Sequence, residues 1–174
     1  MRLNPGNVMG GYGELLFNEE DARLYSRLDI ACRDLHDAIS YGSFILKKGW
    51  KAKPWSRGST YLQQSAFVTS MIVSYGRAFS KSNGWGYLPK AMHASFDAEE
   101  VSLHGRLMDD RNQLYAHSDS VHYPLRPWAS DHHSDIIQFQ VREVPHGDIL
   151  KLQEMCRKIV STCRAEQARI KAKY

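Results

Sequence analysis

Apolar residues recur along most of this chain at the three-and-four spacing of a helix face. Leu24, Leu28, Ala31, Leu35, Ala38, Ile39, Gly42 and Ile45 or Leu46 follow that rhythm. Asn18 stands before them as an N-cap, with Glu19, Glu20 and Asp21 at the positive end of the helix dipole. The pattern predicts a first helix from about Glu19 to Lys47. A second stripe, through Leu62, Ala66, Thr69, Val73, Gly76 and Phe79, predicts a helix over about Thr60 to Ser80, stopped by the turn chemistry of Ser82-Asn83-Gly84. Asp97 with Glu100 reads as an acidic capping box. It opens a third helix carrying Val101, Leu103, His104, Leu107, Met108, Arg111, Leu114 and Tyr115. A last helix runs from near Gly147 towards Lys171, with Ile149, Leu152, Met155, Cys156, Ile159, Val160 and Cys163 on its apolar face.

Between the third and last helices the period changes to two. Ile137, Phe139 and Val141 alternate with Gln138, Gln140 and Arg142, the pattern of a half-buried strand, and Val121-His122-Tyr123-Pro124-Leu125 is its expected partner. The fold class that follows is mainly α: an antiparallel bundle of about four long helices, with a small β-hairpin inserted before the last. Residues 1–17 are turn-rich and read as a flexible N-terminal arm, which leaves 18–174 as a single helical domain.

Composition changes this picture little. The chain has 174 residues, 43% hydrophobic and 24% charged, which suits one soluble domain. It shows neither a signal peptide nor a membrane-length apolar run, so a cytoplasmic location is expected. The three cysteines, Cys32, Cys156 and Cys163, form no CxxC pair and read as small core residues. A formal net charge of +4 is compatible with a polyanionic partner without requiring one. The Lys48–Gly58 loop combines basic residues with Trp50 and Trp55. Such a loop either stacks on single-stranded nucleic acid or folds its indoles back onto the domain, and the second is the commoner outcome. His122, His132, His133 and His146, with Asp131 and Asp135, are potential zinc ligands, but their spacing matches no recognised site. No cofactor is expected.

The distinctive chemistry lies in Arg111-Asn112-Gln113-Leu114-Tyr115-Ala116-His117. This segment resembles the RNx4H signature of the HEPN family. Leu103-His104 before it, Ser118-Asp119 after it, and Ser74-Tyr75-Gly76-Arg77-Ala78-Phe79 on the second helix resemble the branch of that family associated with abortive infection. The resemblance extends from about Glu19 into the last helix. It implies a metal-independent endoribonuclease of toxin or anti-phage type, in which the RNA 2′-hydroxyl attacks its own phosphate. His117 would be general acid or base, and Arg111 would stabilise the phosphorane, with Asn112 orienting it. It also implies a homodimer whose two motifs line one cleft, and a possible antitoxin or regulatory partner. HEPN toxins silenced by adenylylation often carry Tyr where this chain has Asp119, so that mode of silencing is not expected here. The competing reading is a catalytically silent module of the same kind that binds nucleotide or RNA for sensing or assembly. A third is a plain dimeric scaffold, in which Arg111 and His117 make buried structural bonds.

Geometry qualifies the motif. Six residues on a straight α-helix turn through about 600°, which leaves Arg111 and His117 roughly 120° apart. Either the helix loosens before His117 or a second subunit completes the site. His104, seven residues before Arg111, shares its face, and Tyr115 and Ser118 continue it. His104 is read either as a site residue or as a hydrogen-bonded histidine between helices. Arg77 is read either as a phosphate ligand in the cleft or as the partner of Asp109, Asp110 or Asp119. Asp119 would orient His117 or cap the helix end.

Overall fold

The structure, a computed structural model, describes residues 17–52, 58–81, 84, 86–115, 125–129, 131–132, 134–138 and 144–174. It is mainly helical, with four α-helices packed as a bundle: α1 (Glu19–Lys48), α2 (Thr60–Phe79), α3 (Ala98–Asp109) and α4 (His146–Lys171). A short 3₁₀ turn spans Lys90–His93, and a π-helical segment, Asp110–Tyr115, continues α3.

Local signals explain the ends of these helices. Asn18 Oδ1 accepts from the Asp21 backbone N–H at 2.8 Å and starts α1, while Gly49, at φ 61°, adopts the left-handed conformation that stops it. Asp97 and Glu100 form a complete capping box, with reciprocal bonds of 2.8 and 3.0 Å.

Helix α1 lies between α2 and α4 and runs antiparallel to both. Near the end of α2, Arg77 meets Asp34, while at its start Gln64 meets Ala52 just beyond α1. Similarly, Gln167 of α4 reaches Tyr25, and Gln153 reaches Ile39. The core joins all four helices and includes the fully buried Leu28, Leu35, Met71, Ile72, Tyr75, Ile149, Leu152, Met155 and Ile159. Each buried Leu or Ile favours the fold by about 1.5–3 kcal/mol. Gly42 is what lets three helices meet at one level. A Cβ there would lie 2.9 Å from Ile149 Cγ2 on α4 and 3.2 Å from Met71 Sδ on α2.

Two expectations change. The third helix does not stay α-helical through the motif: its bonding pattern widens to i→i+5 from Asp110 onwards. The hairpin is not seen in the form the alternation suggested, with strands near Val121–Leu125 and Ile137–Val141. A two-stranded antiparallel ladder instead pairs β1 (Leu125–Ala129) with β2 (Ser134–Gln138), Leu125 opposite Gln138 and Ala129 opposite Ser134. The pairing sits closer to the turn and takes in Pro127, which a two-stranded ribbon tolerates because each strand has an open edge. Residues 121–124 and 139–143, and the arm at 1–16, lie outside the described residues.

Candidate functional site

The π segment is where α3 meets α2. A Cβ on Gly76 would stand 2.6 Å from Arg111 Cγ and 3.1 Å from its Cβ, so the stem of Arg111 lies directly on the bare backbone of α2. The guanidinium continues outward, and its Nη1 donates to the Oδ1 of the exposed Asn112 at 2.9 Å. Among the described residues, Arg111 has no carboxylate partner. π segments interrupt α-helices frequently at functional sites. The α-helical angle between Arg111 and His117 no longer applies once the bonding changes. Tyr115 closes the π segment, while His117, Ser118 and Asp119 lie outside the described residues.

About two α-helical turns earlier, His104 enters an aromatic cluster. Its Nδ1 shares a 2.9 Å hydrogen bond with the hydroxyl of fully buried Tyr75, next to Gly76 on α2. Burial pushes the Tyr75 phenol far up, which keeps its proton available for this bond. Phe79 and Phe96 present T-shaped contacts to the His104 ring at 4.6 and 6.0 Å, and His93 stacks on it at 5.7 Å. His104 is therefore the hydrogen-bonded histidine between helices, one of its two expected roles. It ties α3 to the α2 turn that receives Arg111.

His93 is the unusual member. Its Nδ1 is buried with no hydrogen-bond partner among the described residues. Burial, then the charge of Lys90, depresses its pKa, and burial followed by His93 does the same for His104. Burial thus disfavours the charged form of both rings, with His104 facing Tyr75 of α2 and the ring of His93. Unfolding frees them to take up protons near their ordinary value of 6.5, above the depressed values in the fold. The unfolded state then binds more protons, so stability falls as pH drops below about 6.5 and levels off beneath the folded-state values. Urea midpoints across pH 7.5 to 5 are expected to decline in the wild type and to decline less in His93→Phe, which also removes the orphan nitrogen. Equal slopes in the two proteins would show that His93 does not contribute.

Arg77 corrects its expected partners. It donates from Nε and Nη2 to Asp34 Oδ1 at 3.0 and 2.5 Å, with Asp37 at 3.9 Å, all on α1. Among the described residues these carboxylates take the place of Asp109 and Asp110, because residue 77 faces α1 while residue 76 faces the π segment. Burial pushes the Asp34 carboxyl up, and the Arg77 hydrogen bond opposes that shift. Arg77 thus links α2 to α1, with its side chain half-exposed.

Sequence reasoning gave Arg27 no role. It is buried at 6% exposure, and its guanidinium donates to the carbonyls of Ala78 at 2.6 Å, Gly86 at 2.8 Å and Ser80 at 3.5 Å. It closes the C-terminal end of α2 and joins it to Gly86. Only a charged residue beside Leu28 in an otherwise apolar stripe hints at this in the sequence.

In the basic loop, Trp50 folds back in edge-on contact with Phe44 and Phe67, 5.6 Å from each, and its carbonyl lies 3.1 Å from His146 Nε2. Trp55, His122 and His133 lie outside the described residues, and no group of potential metal ligands occurs among the described ones. No helix among the described residues is long and apolar enough to cross a membrane.

Comparison with protein-family models, with curated proteins and with solved structures gave no match.

Proposed function

We propose that this chain is a metal-independent endoribonuclease of the HEPN kind, of toxin or anti-phage defence type, acting as a symmetric homodimer in the cytoplasm. The supporting observation is the seat of Arg111. Its stem rests on Gly76, its guanidinium is oriented by Asn112, and no described carboxylate neutralises it. That leaves a positioned planar cation suited to phosphate oxygens. The helical bundle and the family-like segment Ser74–Phe79 beside the motif point the same way.

In this reading His117 takes the 2′-hydroxyl proton or returns one to the leaving 5′-oxygen, and Arg111 offsets the charge of the phosphorane. Two copies of the motif face each other across the dimer, so that His117 of one chain serves with Arg111 of either. Ser118, Asp119 and Tyr115 line the approach, and Asp119 steadies the imidazole. His104 acts at one remove, through Tyr75. An antitoxin or regulatory partner would act by covering this cleft.

The test is mixed RNA in EDTA with wild type and His117→Ala, alongside sedimentation of each protein. Cleavage by wild type alone, leaving 2′,3′-cyclic phosphate ends, from a dimeric protein is the expected outcome. RNA binding with steep salt dependence and no cleavage by either protein would assign a silent binding module instead. A strictly monomeric wild type would remove the composite site.

A further inference from the structure

We propose that the outer edge of α4 beside α1, from Arg157 through Arg164 to Lys171, is a binding surface for the phosphodiester backbone of single-stranded RNA. The choice of RNA rests on the reading above; the surface itself stands on charge and geometry. Seven residues complete almost two whole turns of α-helix, so the three cations lie in one line, about 10.5 Å apart and about 21 Å from end to end. All three are exposed. Among the described residues, none of them forms an ion pair with a carboxylate. The neighbouring cations do: Lys151 with Glu99, Lys158 with Glu100, Arg169 with Glu166 and Lys173 with Asp21. The division follows the packing. Lys151 and Lys158 face α3, whereas Gln153 and Gln167 face α1 and donate to the carbonyls of Ile39 and Tyr25 at 3.0 and 3.3 Å. The unpaired line runs between these two flanks. From Met155 to Lys171 the sequence has one acidic residue, Glu166, about half a turn round the helix from Arg157 and bound to Arg169. Ser161 and Ala168, small and exposed, separate the cations and let a strand lie close to the helix.

At its Lys171 end the line borders an opening of about 300 Å³ between α1 and α4, lined by Tyr25, Asp29, Arg164, Gln167 and Lys171. The Lys171 ammonium is held over the Tyr25 ring, 5.4 Å from its centroid, which positions the charge at that opening. The carboxylate among these residues, Asp29, already pairs with Arg33 at 2.6 Å. The opening therefore presents uncancelled positive charge at a concave place with room for a phosphate group and its sugar. Charge of this kind takes hold of a nucleic-acid backbone whatever its base sequence. The surface is separate from the seat of Arg111, which lies between α2 and the π-helical segment.

The test uses a dye-labelled single-stranded RNA carrying 2′-O-methyl groups, which block attack by the 2′-oxygen. It is titrated with the full chain across a salt series and followed by fluorescence anisotropy. Arg157→Gln, Arg164→Gln and Lys171→Gln combined should weaken binding about tenfold at low salt. They should also lower the slope of log affinity against log salt by about 2, at about 0.7 for each cation, and Arg164→Gln alone by about 0.7. Arg23→Gln, Lys151→Gln and Arg169→Gln combined remove the same formal charge from cations that carboxylates already answer, and should bind within about twofold of wild type. Wild-type affinity in the first variant, equal losses in the two triple variants, no binding of the RNA by wild type, or binding of phosphatidylserine vesicles in place of RNA would each overturn the proposal. Cleavage plays no part in this readout. A protein that binds here yet never cuts RNA loses the catalytic reading and keeps this surface. One that cuts RNA while the first variant binds like wild type loses the surface and keeps the reading.

Discussion

Gly76→Ala is expected to reduce RNA cleavage by about 100-fold, the loss that accompanies a displacement of roughly 1 Å at a reacting centre. The new methyl would overlap Arg111 at Cγ, with Cβ and Cδ each 3.1 Å away. These atoms form the root of the side chain, so a rotamer change at its tip cannot relieve the overlap. Either Arg111 abandons its seat or the π segment moves off α2. Overpacking of this kind costs about 1–3 kcal/mol, and the better helix propensity of alanine returns about 1 kcal/mol. The net expectation is a modest loss of stability, read as a lower urea midpoint, together with a large loss of activity. Gly105→Ala is the control. It lies on α3 with nothing near its Cβ position, and it should be stable and active. A Gly76→Ala protein that cuts RNA like wild type would mean that the seat of Arg111 does not position a catalytic group.

The largest effect on stability is expected at Arg27. Arg27→Met keeps the length and the apolar contacts of the stem but strips the bonds to the carbonyls of Ala78, Gly86 and Ser80. Buried acceptors left without donors cost about 1–3 kcal/mol each when no water replaces the donor. Only the Ala78 bond is buried, while water can replace the donor at Gly86 and Ser80, so a total of about 3 kcal/mol follows for the group. For a domain of this size that lowers the melting temperature by roughly 10 °C. Arg23→Met, four residues away on the same helix and paired among the described residues with exposed Glu19, should change it negligibly. A shift of equal size in both variants would show that the closure of α2 by Arg27 is unimportant.

The helices themselves were legible because each carries a periodic apolar stripe, and α1 and α3 an N-terminal cap as well. Asn18 and the Asp97–Glu100 box act as their residue types suggest, and the first helix ends within one residue of expectation. What the sequence hid are features decided by tertiary contact. The change from α to π bonding at Asp110 has no compositional mark; only the awkward angle between Arg111 and His117 hinted that the helix would not run on unchanged. Arg77 offered several acidic neighbours in sequence, and the choice of Asp34 depends on which face of α2 meets α1. Gly76 drew notice as part of a family-like segment, but its role as the seat of Arg111 is a property of two helices crossing. His93 gave no signal, being one histidine in a short turn. The strand alternation marked the ribbon but not its register, because alternation fixes which face a residue takes and says little about where pairing begins.

The π segment also has a bearing on insertions and deletions. An i→i+5 turn accommodates one residue more than an α turn, so Asp110–Tyr115 is equivalent to an α-helix with a single residue spliced in. Shortening this stretch by one residue would let the helix run on in ordinary α form. It would also swing everything downstream, His117 included, by about 100° relative to Arg111. On the proposed function, the number of residues between Arg111 and His117 is therefore a quantity to hold constant in any redesign, along with Arg111 and Asn112 themselves.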